Sequence, residues 1–246
     1  MTAASRRAHD VPVLAVDAAA EQAWNEARLA HPVSEPVARL WRYPRPAVVL
    51  GRSQQVLAAA LAPAELPVIT RRAGGGAVLV GPWLLGASIV LPSDHPLVAG
   101  VTIPDSYRWL GECFQRALAR HGVVAQTVPA DKTWKAPAEL AWACYAGMSP
   151  WEVAIDGRKL VGLAQRRGRH GILFVAGALL EPVPWTLLAE VLRRPEREAT
   201  LLARATISAA EAAADAAHGA GFDPEAFAAD VGAEVAAVLR GRPMVG

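Results

Sequence analysis

The Asp156-Gly157 dipeptide stands between two apolar strand-like runs, residues 151–155 (WEVAI) and 159–165 (KLVGLAQ), and commits this stretch to an antiparallel hairpin. A two-residue hairpin loop requires positive φ at its centre, which Asp and Gly tolerate where bulkier residues do not. A third run, residues 171–180 (GILFVAGALL), follows a longer connection near Gly168. Leu160, Val161, Gly162, Leu163 and Ala164 leave neither face of their strand polar, so cover is expected on both sides. A sheet of at least three strands with packed layers follows.

The rest of the chain supplies those layers. Residues 16–30 read as an alanine- and glutamate-rich helix. Short strands are expected at 37–41, 47–50, 67–70 and 77–80, and a longer one at 84–91, the last two joined at Gly81-Pro82. A helix starts from Asp105 as N-cap and carries Tyr107, Leu110, Phe114 and Leu118 at helical spacing up to Gly122. Residues 129–143 read as a loop. Helices return at 184–192, near 208–217, and at 224–239, the last with Asp223 as N-cap and Pro224 at its first position. Strands in the middle and helices around them make the class α+β, a central mixed, largely antiparallel sheet flanked by helices. Residues 1–195 are read as the catalytic unit and 196–246 as a helical extension packed on it.

Composition narrows the function classes. The 246 residues are 53% hydrophobic with a net charge of +2, and no aromatic-interleaved basic surface suggests nucleic acid. No apolar run reaches the roughly 18 residues of a membrane span, and no signal peptide is visible, so no membrane and a cytoplasmic location are expected. The two cysteines, Cys113 and Cys144, are read as free thiols. Cys113 lies beside the apolar stripe of its helix and is read as core. Metal-ligand spacing is absent. Arg166, Arg167, Arg169 and His170 form a compact basic cluster, read as a solvated turn that can also meet a phosphate or an acidic partner.

Three features carry chemistry. Gly74, Gly75 and Gly76 lie between strand-like runs and let backbone approach a ligand, but no Lys-Ser/Thr follows and a strand comes next, which excludes a Walker-type loop. Arg71 and Arg72 precede them, and strand alternation sends one toward a ligand cavity and the other to solvent. Lys159 begins an apolar strand, where desolvation makes an ammonium a selective donor or a tunable base. Gly162 leaves room beside it for an extended acyl chain. Cys144, set among tryptophans, is either a small core residue or a nucleophile activated by a nearby ammonium.

In order, GRSQ (51–54), RRAGGGAV (71–78) and DGRKLVGLAQRR (156–167) resemble the biotin/lipoate protein ligase catalytic-domain family, in its lipoate branch of lipoate–protein ligases and cysteine-dependent octanoyltransferases. The resemblance covers about residues 10–195. It implies transfer of an octanoyl or lipoyl group to a lysine of a lipoyl-domain protein. It implies Cys144 and Lys159 as catalytic residues, with Arg71, Arg72, Gly74, Gly75, Gly76, Ala77, Gly162, Ala164 and Gly177 around the substrate. The cysteine favours a transferase fed by acyl carrier protein and needing no cofactor. A ligase would use ATP and Mg instead, with Cys144 in the core; a non-catalytic acyl-binding relative is the third reading. Two positions depart from the family's pattern: Val80 and Ala176 stand where histidines are expected, which leaves the acyl group open.

Overall fold

The computed structural model of the chain describes residues 11–61, 65–215 and 221–241. The first ten residues, read above for a leader, and residues 216 and 217 lie outside the described residues. The elements begin with β1 (Val13–Ala15), α1 (Ala18–Leu29), β2 (Val37–Arg42), β3 (Ala47–Leu50), a 3-10 turn (Arg52–Gln54) and α2 (Gln55–Ala60). Next come β4 (Val68–Thr70), β5 (Val78–Val80), β6 (Leu84–Leu91), a 3-10 turn (Asp105–Tyr107), α3 (Arg108–Arg120) and β7 (Gln126–Thr127). A third turn (Ala138–Leu140) precedes β8 (Val153–Ile155), β9 (Arg158–Gly168) and β10 (Gly171–Leu179). The chain closes on α4 (Trp185–Val191), α5 (Glu196–Ala205), α6 (Ala209–Asp215) and α7 (Pro224–Leu239).

Seven strands form the main sheet in the order β1-β2-β6-β10-β9-β8-β7, parallel only between β1 and β2. The Asp156-Gly157 hairpin forms as its chemistry requires. Ile155 pairs with Arg158, and the two turn residues take φ of 49° and 76°.

Alternation along β6 builds both layers. Leu85, Ala87, Ile89 and Leu91 enter one core with Leu110, Phe114 and Leu118 of α3 and Phe227, Val231 and Val235 of α7. On the opposite face, Ser88 accepts from the Trp41 indole at 2.9 Å, and Tyr43 covers Gly86. Cys113 is fully buried in the α3 core, and burial pushes its thiol up to about 12. Asp223 caps α7 by accepting from the Glu225 and Ala226 amides. Among the described residues no helix is long and apolar enough to cross a membrane.

Several local expectations change. Strands β5 and β6 do not pair: β5 joins a second sheet, β4-β3-β5. The turn between them is held by Trp83, whose ring lies on Gly81 and whose indole N–H donates to Leu79 O at 3.1 Å. Asp105 is not the N-cap of α3. It opens a 3-10 turn, where the Thr102 hydroxyl both donates to its carboxylate and accepts its amide. Trp151 has φ of 68°, so the strand begins at Val153. The elements β1, α2, β7 and α5 are additions; α2 is a short, mostly exposed helix without the apolar period that sequence reading relies on.

Candidate active site

Three chain segments meet at the start of β9. The first is the glycine-rich loop after β4, the second the loop running from residue 142 to 149, and the third the start of β9 itself. The loops are tied together by backbone: Ala77 N donates to Trp142 O at 2.7 Å, and Cys144 N donates to Ala77 O at 3.0 Å. They approach so closely that a Cβ on Gly76 would stand 2.4 Å from Trp142 O, and one on Gly51 would stand 1.8 Å from Gly75 O. Only glycine fits at either place. Gln54 completes the junction. Its side chain accepts from Gly51 N at 3.2 Å and donates to Trp142 O at 2.9 Å. The GRSQ and glycine-rich motifs are thus two sides of one backbone contact.

Arg71 and Arg72 separate as alternation requires. Arg71 is buried, and its guanidinium donates to Gly74 O at 3.0 and 3.1 Å and to Gly76 O at 2.9 Å. Its Nη2 also lies 3.7 Å from Cys144 Sγ. Arg72 is exposed and pairs at 3.1 Å with Glu26, which also takes Arg166 at 2.7 Å.

The sequence reading sets the Lys159 ammonium against the Cys144 thiol. The contacts assign it differently. Lys159 is 2% exposed, and its three protons go to Cys144 O at 3.0 Å, Gly147 O at 3.0 Å and Glu152 Oε1 at 2.7 Å. Glu152, equally buried, also accepts from Leu163 N at 3.0 Å and from Ser149 N at 2.8 Å. The lysine therefore clamps the backbone of the cysteine's loop, and the cation in contact with the sulfur is Arg71. Glu152 escaped sequence reading. The available signal was one acid within an apolar strand run, across a two-residue turn from a lysine.

Cys144 lines two neighbouring clefts. One, mostly apolar, runs between α1 and the sheet past Val80, Leu84, Leu163, Ala164 and Val175, with Arg72, Glu26 and Arg166 along its wall. The other is more open and carries Gly74, Gly75, Gly76, Lys159, Glu152 and Trp134. Arg71, Gly162, Ala164 and Gly177 border the apolar cleft; Ala77 is buried behind it, pairing with Ala143.

Gly162 borders the apolar cleft, and neighbouring side chains also crowd it. Gly162, Gly177 and Gly86 lie in one row across β9, β10 and β6. A Cβ on Gly162 would meet Lys159 Cε at 3.2 Å, one on Gly177 the Tyr145 hydroxyl at 2.6 Å, and one on Gly86 the Tyr43 hydroxyl at 2.2 Å. The row seats two tyrosines and a lysine stem. Tyr145 donates to Gly177 O at 2.6 Å, and its ring centroid lies 5.4 Å from Lys159 Nζ. Tyr43 donates at 2.7 Å to Glu21, whose carboxyl is raised above its ordinary value by burial. Val80 lines the apolar cleft, whereas Ala176 also belongs to the core with Phe174 on the α3 side.

Residues 17–221 match the lipoyl protein ligase A/B catalytic domain family. An octanoyltransferase LipM from Kyrpidia tusciae is 33% identical over 166 residues, 65% of this chain and 60% of that protein. Another, from Exiguobacterium sp., is 31% identical over 146 residues, covering 56% and 52%. The chain thus spans between about half and three-fifths of these relatives' length. Among solved structures, a lipoate-protein ligase A bound with ATP superposes with a TM-score of 0.66 at 16% identity, covering 94% of this chain and 86% of that one. A putative lipoate protein ligase from T. acidophilum with bound lipoic acid gives 0.67 at 16% identity, covering 94% and 85%. At that identity the likeness concerns the fold. With the family match spanning both loops, Lys159 and the sheet between them, the chain belongs to the lipoyl protein ligase A/B catalytic domain family.

Proposed function

We propose that this chain is a cysteine-dependent octanoyltransferase of lipoate metabolism. The observation that carries the reading is Cys144 lining both an apolar and an open cleft, with the Arg71 guanidinium 3.7 Å from its Sγ. The LipM relatives named as octanoyltransferases point the same way. A thiolate is the competent nucleophile, and a guanidinium beside the sulfur offsets its charge.

The chemistry runs in two balanced steps. Cys144 attacks the carbonyl carbon of an octanoyl thioester carried by acyl carrier protein. A new C–S bond forms, the donor's C–S bond breaks, and the carrier leaves as its thiol. The ε-amine of a lipoyl-domain lysine then attacks the Cys144 thioester, losing its proton to solvent. An amide forms and the Cys144 thiolate is released. The acyl group is already activated as a thioester in both steps, so neither nucleotide nor metal ion is needed. The apolar cleft takes the acyl chain, and Lys159 acts by holding the carbonyls of Cys144 and Gly147 so that the sulfur keeps its place.

Intact mass after incubation with octanoyl–acyl carrier protein tests this directly. One octanoyl adduct is expected on the native chain and none on Cys144→Ala. Transfer of free lipoate or octanoate that needs ATP and Mg and survives Cys144→Ala would replace the proposal with a ligase. Tight acyl binding with no adduct and no turnover would replace it with a non-catalytic binder.

A further inference from the structure

Trp134 is 48% exposed, the one aromatic among the large apolar side chains that the described residues leave in solvent. Exposed tryptophans are uncommon on a surface without a partner and frequent as anchors of interfaces. Its backbone, by contrast, is fixed. Trp134 N donates to Met148 O at 3.0 Å, and Met148 N returns to Trp134 O at 2.9 Å. The neighbouring Gly147 is packed so tightly that a Cβ there would stand 2.9 Å from Trp134 O. Lys159 holds the carbonyl of that same Gly147 together with the carbonyl of Cys144. The backbone that carries the indole is therefore fixed, tied by two backbone steps to the loop that carries the sulfur.

Its position is equally specific. Trp134 stands on the ridge between the open cleft of Cys144 and a second groove that includes Val124, which is 84% exposed. Lys132 and Lys135 flank it, both exposed, with the exposed Asp131 offsetting one of the two charges. An apolar anchor between two ammonium groups, on the lip of a nucleophile's cleft, fits an acidic protein surface.

We propose that Trp134, with Lys132 and Lys135, is the docking surface for the acyl acceptor, a small lipoyl domain with carboxylates near its target lysine. This rests on the octanoyltransferase reading and deepens it. Two proteins must reach Cys144, but with different lengths of arm. The donor's thioester hangs on a long pantetheine chain, so its carrier can stay clear of the rim. The acceptor reacts through one lysine side chain, and its surface must come down onto the lip of the cleft. The residues on that lip are therefore read by the acceptor.

The half-reactions separate the possibilities. Acylation of Cys144 is followed by intact mass with octanoyl-N-acetylcysteamine and with octanoyl–acyl carrier protein. Transfer is followed from the isolated acyl-chain adduct to an unmodified lipoyl domain. In Trp134→Ala, acylation by both donors is expected to stay within about twofold, while transfer falls about tenfold at low domain concentration and recovers at saturation. Lys132→Glu with Lys135→Glu is expected to give the same pattern, strongest at low salt. Transfer unchanged in both variants, or carrier-dependent acylation lost while transfer is kept, overturns the proposal; the second result assigns the surface to the donor. If the native chain takes no octanoyl group, the octanoyltransferase reading fails on its own. Binding of the unmodified lipoyl domain by calorimetry then decides: weakening in Trp134→Ala supports docking there, and unchanged or absent binding overturns it.

Discussion

Replacing Lys159 by Met keeps most of the side-chain volume and removes only the ammonium, so it isolates the electrostatic clamp. Glu152 is left as a carboxylate at 2% exposure with two backbone N–H donors and no counter-charge. Removing one partner of a buried pair costs about 3–5 kcal/mol. The retained donors from Ser149 and Leu163 soften that loss. The carbonyls of Cys144 and Gly147 lose their donor and add to it, at roughly 1 kcal/mol each. A net destabilisation of about 4 kcal/mol is expected, which for a chain of this size lowers Tm by roughly 8–16 °C. Glu152→Gln strands the ammonium in its turn, yet leaves it two carbonyls, and about 3 kcal/mol is expected. The double variant removes both charges and is expected to be less destabilised than the sum of the singles by about 2 kcal/mol or more. Urea unfolding of the four proteins at neutral pH measures the cycle. Single variants within about 1 kcal/mol of the native chain, or strict additivity, would refute the claim that these groups are a buried, mutually dependent pair.

Arg71→Met is expected to slow iodoacetamide alkylation of Cys144 about tenfold, because a guanidinium beside a partly solvated thiolate contributes of order 1–2 kcal/mol; Arg71→Lys recovers part of it, and an unchanged rate would remove Arg71 from this role. Cys113, with its thiol raised to about 12 by burial, is the internal control and labels only after unfolding. Burial raises the Glu21 carboxyl, so the folded chain holds its proton where the unfolded chain, at about 4.5, has lost it. That contribution is full below the unfolded value and is lost as pH rises through the folded one, so Glu21→Gln gains on the native chain in urea midpoint as pH is raised above about 4.5; a difference that stays constant with pH would contradict it. Gly177→Ala forces a Cβ to 2.6 Å from the Tyr145 hydroxyl and is expected to cost about 1–3 kcal/mol, more than Gly162→Ala, whose Cβ comes no closer than 3.2 Å to Lys159 Cε and 3.6 Å to the Tyr145 ring. Equal unfolding midpoints for the two would show that Tyr145 yields as easily as the lysine.

What was legible in the sequence was whatever one segment decides by itself. Asp156-Gly157 requires a turn with positive φ at both residues whatever surrounds it, and Asp223-Pro224 specifies its own helix start. The three motifs kept their order, and order is a property of sequence. The illegible part was which partner each group takes, because that is settled by segments far apart in the chain. Lys159 and Cys144 were paired in the reading because both suit a thioester mechanism. Burial sets a stricter condition: a fully desolvated ammonium needs all three of its protons accepted, and the nearest acceptors are a carboxylate and two carbonyls, not a thiol. Arg71, 73 residues before Cys144, reaches the sulfur only because Gly74 and Gly76 turn their carbonyls to its guanidinium and fix its direction. Gly162 shows the same limit. A missing side chain shows in sequence, whereas the tyrosine that fills the gap from another loop does not. A glycine in a buried strand thus marks a close approach without naming what approaches, and here the row of three supports the walls of the site rather than its contents.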